Sequence, residues 1–158
     1  MAHQLVWFKR DLRVEDHKPL QQALLRGPVL PLYVVEPELW QQQDASERQW
    51  LFCRESLLDL RLALAALGQP LLVRTGDVLE VFERAHRQFG LEALWSHEET
   101  GNGWTYQRDQ RVALWCRQHG ITWKEIPQFG VIRRLRSRNH WAKRWEAQMA
   151  EPITPSPL

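Results

Sequence analysis

No glycine stands between residues 9 and 18 of this 158-residue chain, directly after its first apolar run. A dinucleotide-binding turn needs glycines there so that the backbone can approach a pyrophosphate, and their absence excludes the Gly-rich fingerprint. A phosphate-cradling G-x-x-x-x-G-K-S/T loop is missing too, which argues against nucleotide hydrolysis. Cysteine is scarce. Cys53 and Cys116 lack CxxC spacing and fall in expected helices, so neither a zinc site nor a disulfide framework is indicated, and two buried, reduced thiols are expected. No apolar run approaches the ~20 residues of a membrane span, and the start of the chain lacks the basic-then-apolar pattern of a secretory signal. A cytoplasmic protein without a membrane partner is the expectation. Acid is absent from residues 131–145, which hold Arg133, Arg134, Arg136, Arg138, Lys143 and Arg144. Because the whole chain carries only +2, the remainder carries −4, and positive charge is concentrated near the carboxyl end.

The chain does contain alternating strand and helix patterns. Residues 5–8, 29–35, 71–74, 92–95 and 121–125 read as strands, and 19–26, 47–67, 77–88 and 105–119 as helices. Trp50, Cys53, Leu57, Leu60, Leu64 and Leu67 recur at spacings of three and four, and Gly68 and Pro70 end that run. Asp77 is placed to cap the next helix, with Glu80 reaching back to it, and Gly90 closes it. Repeated strand-helix-strand units imply an α/β fold: a Rossmann-like parallel sheet with right-handed crossovers and helices on both faces. The length fits one domain, residues 1–150, and the Pro-rich residues 151–158 read as a linker. Gly101-Asn102-Gly103 is too short for a phosphate loop and reads as a turn, both glycines supplying permissive backbone angles.

The first strand, Leu5-Val6-Trp7-Phe8, is uniformly apolar, as suits a strand covered on both faces. It breaks at once into Lys9-Arg10-Asp11-Leu12-Arg13, delivering charge to the carboxyl edge of the sheet, where ligands of such sheets sit. Trp-Phe-Lys-Arg-Asp-Leu-Arg at 7–13, followed by Asp16 and Leu20, resembles the amino-terminal signature of the DNA photolyase and cryptochrome family. Glu98-Glu99, Trp104-Thr105-Tyr106 and Arg108-Asp109 resemble its segment after the fourth strand, and Gly76-Asp77 its turn after the third. Trp141-Ala142-Lys143-Arg144-Trp145, with Pro152 and Pro155, resembles the passage into its interdomain linker. The likeness spans residues 5–155 in family order.

That resemblance implies a five-stranded sheet of order 3-2-1-4-5, with residues 9–13 and 96–109 walling a crevice at the switch point between strands 1 and 4. It implies an antenna domain for a light-harvesting pigment: FMN, a deazaflavin or a methenyl-folate. Folate-binding members resemble one another in an Asn-Glu pair near the position of Trp104-Thr105 here, so a flavin-like pigment, or none, is favoured. The expected pigment contacts are Phe8, Lys9, Arg10, Asp11, Arg13, Trp104, Tyr106, Arg108 and Asp109; the plain structural alternative is that Arg10 pairs with Asp11 and that Arg108 and Asp109 anchor their helix. No catalytic or metal-binding residue is expected.

By the same resemblance, FAD belongs to a separate helical domain of the same parent chain, absent here. The parent would be a deoxyribodipyrimidine photolyase using blue light and FAD to repair pyrimidine dimers in damaged DNA; this chain alone would be a non-catalytic monomer. A cryptochrome-type photoreceptor module, or a flavodoxin-like or electron-transfer-flavoprotein-like docking domain, is the alternative. Trp7, Trp50, Trp95, Trp115 and Trp123 fall in expected elements and read as core rather than redox relays. The basic segment at 133–144 reads as an interdomain or solvated face before a DNA contact.

Overall fold

In the computed structural model, which describes residues 2–157, five parallel strands alternate with helices. The strands are β1 (His3–Phe8), β2 (Val29–Val35), β3 (Leu72–Thr75), β4 (Leu91–His97) and β5 (Thr122–Ile126). The helices are α1 (Lys18–Leu24), α2 (Pro37–Trp40), α3 (Glu47–Ala66), α4 (Val78–Phe89), α5 (Gly103–Gln118) and α6 (Trp141–Met149). The order β3-β2-β1-β4-β5 agrees with the sequence expectation. The central β1 pairs β2 on one side, Leu5 opposite Leu30, and β4 on the other, Leu5 opposite Leu94.

The continuous apolar run of β1 feeds two cores. Leu5 and Trp7 face α4 and α5, packing with Val81, Phe82, Val112 and Trp115. Val6 and Phe8 face α1 and α3, packing with Leu20, Ala23, Leu57, Leu60 and Leu64. Side chains alternate across a strand, so a strand buried on both faces must be apolar at every position. Trp7 meets Phe82 edge-on at 5.1 Å, a favourable aromatic geometry. β1 begins with two polar residues, the half-buried His3 and the buried Gln4, and Gln4 is satisfied: its Nε2 donates to Glu92 (3.1 Å) and its Oε1 accepts the Trp95 indole N–H (2.9 Å).

Local departures from the sequence reading have identifiable causes. Asp77 caps α4, accepting from the amides of Leu79 and Glu80, but the Glu80 side chain pairs with Arg84 one turn on instead of reaching back. Ser46 and Gln49 form the reciprocal capping box, at the start of α3. Leu67 lies beyond α3 as its C-cap and is exposed. Neither Gly101 nor Gly103 has a positive φ. Asn102 is the N-cap of α5, and a Cβ at Gly101 would lie 2.1 Å from Thr105 Oγ1, so close approach rather than dihedral freedom requires that glycine. Cys116 is buried as expected, but Cys53 is only half-buried. Residues after α6 are irregular yet tethered: the buried Thr154 donates its amide to Asp16 Oδ1 (3.1 Å) and accepts the Asp16 amide (2.8 Å).

Candidate functional site

The charged residues after β1 divide between two environments. Asp11 folds back, its Oδ1 accepting the Lys9 amide at 2.8 Å. Its Oδ2 accepts from His17 Nε2 (2.8 Å) and His97 Nδ1 (2.6 Å), and all three side chains are buried. Burial disfavours the charge of Asp11, but the two histidine hydrogen bonds prevail and hold its pKa well below the ordinary value. Asp11 therefore does not pair with Arg10. These three residues bring their ligating atoms within 4.8 Å of one another, close enough to suggest a metal. The tautomers speak against one. His17 Nδ1 accepts the Leu20 amide at 3.1 Å, so its proton sits on Nε2 and points at Asp11. A metal-bound histidine needs the reverse, a free lone pair on the ligating nitrogen and a donor on the other.

Lys9 and Arg10 turn the other way. The Arg108 guanidinium, from the second turn of α5, bonds Glu36 at 2.6 Å, Asp109 at 3.1 Å and Glu99. Lys9 Nζ lies 3.5 Å from Asp109 and 3.9 Å from Glu99, and Arg10 Nε lies 3.2 Å from Glu99. Lys9 and Arg108 both stand over the Trp7 ring, at 4.3 and 4.8 Å from its centroid. Burial pushes the Glu36 carboxyl up from 4.5 to about 7, the Arg108 guanidinium opposing the rise. Burial works against the Arg108 charge, yet Glu36, Glu99 and Asp109 outweigh it and raise its pKa. Burial also raises the Tyr33 phenol, whose oxygen lies 3.1 Å from Cys53 Sγ.

This network forms the floor of a cavity of about 490 Å³ at the carboxyl ends of β1 and β2. Its walls come from the β1 exit (Phe8, Lys9, Arg10, Arg13), the β2 exit (Tyr33, Glu36), the α2 turn (Leu39, Trp40), and α3 (Phe52, Cys53), with Glu99, Asn102 and Arg108 closing it from the α5 side. The volume lies within the range of about 300–1,000 Å³ usual for small-molecule sites. Among the described residues, Lys9 Nζ and Trp40 Nε1 are buried without a hydrogen-bond partner, Lys9 being held by its ion pairs instead, and both residues line this cavity. A second cleft, of about 570 Å³, lies between the ends of β1 and β4; Asp11, His97, Thr100 and Gln128 line it, together with Lys9, Arg10, Arg13 and Glu99, which it shares with the first.

Of the nine residues singled out in the sequence, Phe8, Lys9, Arg10, Arg13 and Arg108 line the first cavity, and Lys9, Arg10 and Arg13 line the second as well. Asp109 stands behind it, paired with Lys9 and Arg108, and Asp11 lines only the second cleft. Trp104 and Tyr106 line neither. The Trp104 indole donates to Glu38 at 3.3 Å, and Tyr106 is 58% exposed. The crevice expected between strands 1 and 4 is present as the second cleft, and a further, apolar-walled cavity lies on the β2 side, where residues 36–56 fold over the strand ends. Glu36, Trp40, Phe52 and Cys53 were therefore overlooked. Glu36 had a legible signal: like Lys9, it is the first charge after a buried strand.

A family model described as DNA photolyase matches residues 4–132. The cryptochrome DASH of Gloeobacter violaceus is 35% identical over 117 residues, covering 70% of this chain and 23% of that protein. A deoxyribodipyrimidine photo-lyase of Vibrio cholerae is 42% identical over 146 residues, covering 81% and 28%. Among solved structures, a class III photolyase from Agrobacterium tumefaciens superposes with a TM-score of 0.80 at 21% identity, over 99% of this chain and 34% of that one. An archaeal photolyase from Sulfolobus tokodaii, described as holding two FAD molecules, gives 0.78 at 23% identity, over 98% and 37%. The chain thus spans about a quarter of the length of these curated relatives. With its sheet order and its matched residues, it belongs to the DNA photolyase family.

Proposed function

We propose that this chain is the antenna domain of a photolyase or cryptochrome and that the cavity at the ends of β1 and β2 holds a flavin-like pigment. The observation that carries the reading is the cavity's lining: aromatic and apolar walls from Phe8, Tyr33, Leu39, Trp40 and Phe52 beside a compact set of charges. A planar chromophore would lie between the aromatic walls. Arg10 and Arg13, both partly exposed at the cavity edge, would meet a phosphate tail. Glu36, Glu99 and Asp109 already engage Lys9 and Arg108. The interior therefore has little spare positive charge, and an uncharged ring suits it better than an anionic one. The Sulfolobus relative, described with two FAD molecules and a novel light-harvesting cofactor, accords with a flavin here.

Photorepair of dimer-containing DNA would belong to a parent protein with a helical FAD domain, this chain alone having no repair activity. The surface that would meet that domain is residues 129–153, where Phe129, Val131, Trp141, Trp145, Met149 and Ile153 are exposed. Trp145 packs on Gly130, where a Cβ would lie 1.8 Å from its ring, and the Trp141 indole donates to the Gly130 carbonyl. Both tryptophans are thus engaged with their own loop, which disfavours stacking on nucleobases. The test of the pigment reading is titration of the chain with FMN, followed by flavin fluorescence. Saturable one-to-one binding that weakens in Phe52→Ala supports it; no binding, or binding indifferent to Phe52, refutes it.

A further inference from the structure

We propose that residues 37–45 form a latched lid over the cavity and that pigment exchange is gated by the lid's opening; the gating rests on the pigment reading above. None of these residues is buried. The segment is internally bonded, with Leu39, Gln41, Gln42 and Ala45 donating their amides to carbonyls three residues back, so it can move as a unit. Its two ends are fixed. Glu36 is buried and tied to Arg108, and Ser46 is the N-cap of α3 in a capping box with Gln49.

Between these anchors, two exposed hydrogen-bonded contacts fasten the lid to the start of α5. Asn102 Nδ2 donates to both carboxylate oxygens of Asp44, at 2.9 and 3.1 Å, and the Trp104 indole donates to Glu38 at 3.3 Å. Asn102 serves twice, since its Oδ1 also caps α5 by accepting the Thr105 amide at 3.0 Å. The inner side of the lid presents Leu39, Trp40 and Ala45 to the cavity. Trp40 rests edge-on against Trp50 at 5.1 Å, but its buried indole N–H has no acceptor among the described residues. A buried donor left unmade is costly, so the closed lid without a ligand carries a penalty that a pigment acceptor would relieve. Weak exposed latches, fixed ends and an unsatisfied inner donor are the elements of a gate.

Trp104→Phe removes one latch's hydrogen bond and keeps an aromatic ring beside Arg108, whose guanidinium lies 5.6 Å from the Trp104 ring centroid. Stopped-flow mixing of the chain with FMN is expected to show association and dissociation both faster by the same factor, about 2- to 10-fold, with affinity unchanged. Rates equal to wild type, or faster dissociation alone, overturn the gate, the latter because Trp104 would then be a binding contact. Amide hydrogen exchange without pigment provides an independent reading. Faster exchange across residues 37–45 in Trp104→Phe supports the lid, and unchanged exchange overturns it whatever FMN does. If FMN fails to bind the wild-type chain, the pigment reading and the gating fall together, and exchange alone then decides whether the latch exists.

Discussion

The same five-residue turn after β1 serves two clefts, and they are built in opposite ways. On the β4 side, Asp11 receives three hydrogen bonds from Lys9, His17 and His97, joining the β1 exit, the α1 start and the β4 end. Every donor aimed at it is used. On the β2 side, Glu36, Glu99 and Asp109 share Lys9, Arg10 and Arg108, the buried Trp40 indole N–H lacks a partner among the described residues, and one wall is a short turn without a buried residue. Buried polar groups in a finished structural network are satisfied. The Asp11 side is thus a closed structural network, whereas the Lys9 side leaves a buried donor unmet beside a cavity.

The sharpest way to break that contrast is Asp11→Asn. Removing a buried charge from its hydrogen-bonded partners should lower stability by about 3 kcal/mol, measured by urea unfolding. The pH dependence has a definite sign. Asp11 has a depressed folded pKa, so its contribution is present above the unfolded value of 3.8 and is lost as pH falls through the folded one. Asp11→Asn should therefore flatten the acid limb of the stability curve, and an unchanged acid limb would mean that the triad does not hold the turn.

Next in size is Arg10→Ala. The Arg10 side chain is 61% exposed, so the fold should tolerate its loss, while FMN affinity should drop about tenfold, ~1.4 kcal/mol. Lumiflavin, which has no phosphate, should bind the variant and the wild type alike. Equal losses for both ligands would move Arg10 from the tail to the ring.

Glu36→Gln probes the second side by pH. Its folded pKa is raised to about 7 by burial, so the unfolded chain releases the proton first, and the stability Glu36 supplies at low pH is lost as pH rises from about 4.5 to 7. Unfolding midpoints at pH 5 and pH 8 should differ less in Glu36→Gln than in wild type. A smaller effect still is expected of Tyr106→Phe, which should alter neither stability nor FMN affinity, because that exposed ring lines neither cleft.

What the sequence made legible follows from the range of the interactions involved. The strands, the long α3 and the Asp77 cap depend on neighbours a few residues apart, and the apolar run at 5–8 already implied a two-faced sheet. Lys9, Arg10 and Arg13 are legible because charge right after a buried strand has one place to go, whereas Arg108 is singled out only by the resemblance of Arg108-Asp109 to the family's segment after the fourth strand. The histidine partners of Asp11 lie 6 and 86 residues away in the chain, and only the fold brings them together. The cavity on the β2 side leaves no trace in the sequence, because its roof is α2, a four-residue turn without periodicity to detect. Trp104 illustrates the same limit: aromatic, near the strand ends and correctly located, it bonds the outside of the lid.

In the proposed function the pigment occupies the cavity at β1 and β2 and not the cleft at β1 and β4. The most direct measurement is a pair of FMN titrations on Phe52→Ala, which alters only the first, and Thr100→Val, which alters only the second. The account predicts about tenfold weaker binding, ~1.4 kcal/mol, in Phe52→Ala and wild-type affinity in Thr100→Val. Loss of affinity in Thr100→Val with Phe52→Ala unaffected would contradict it.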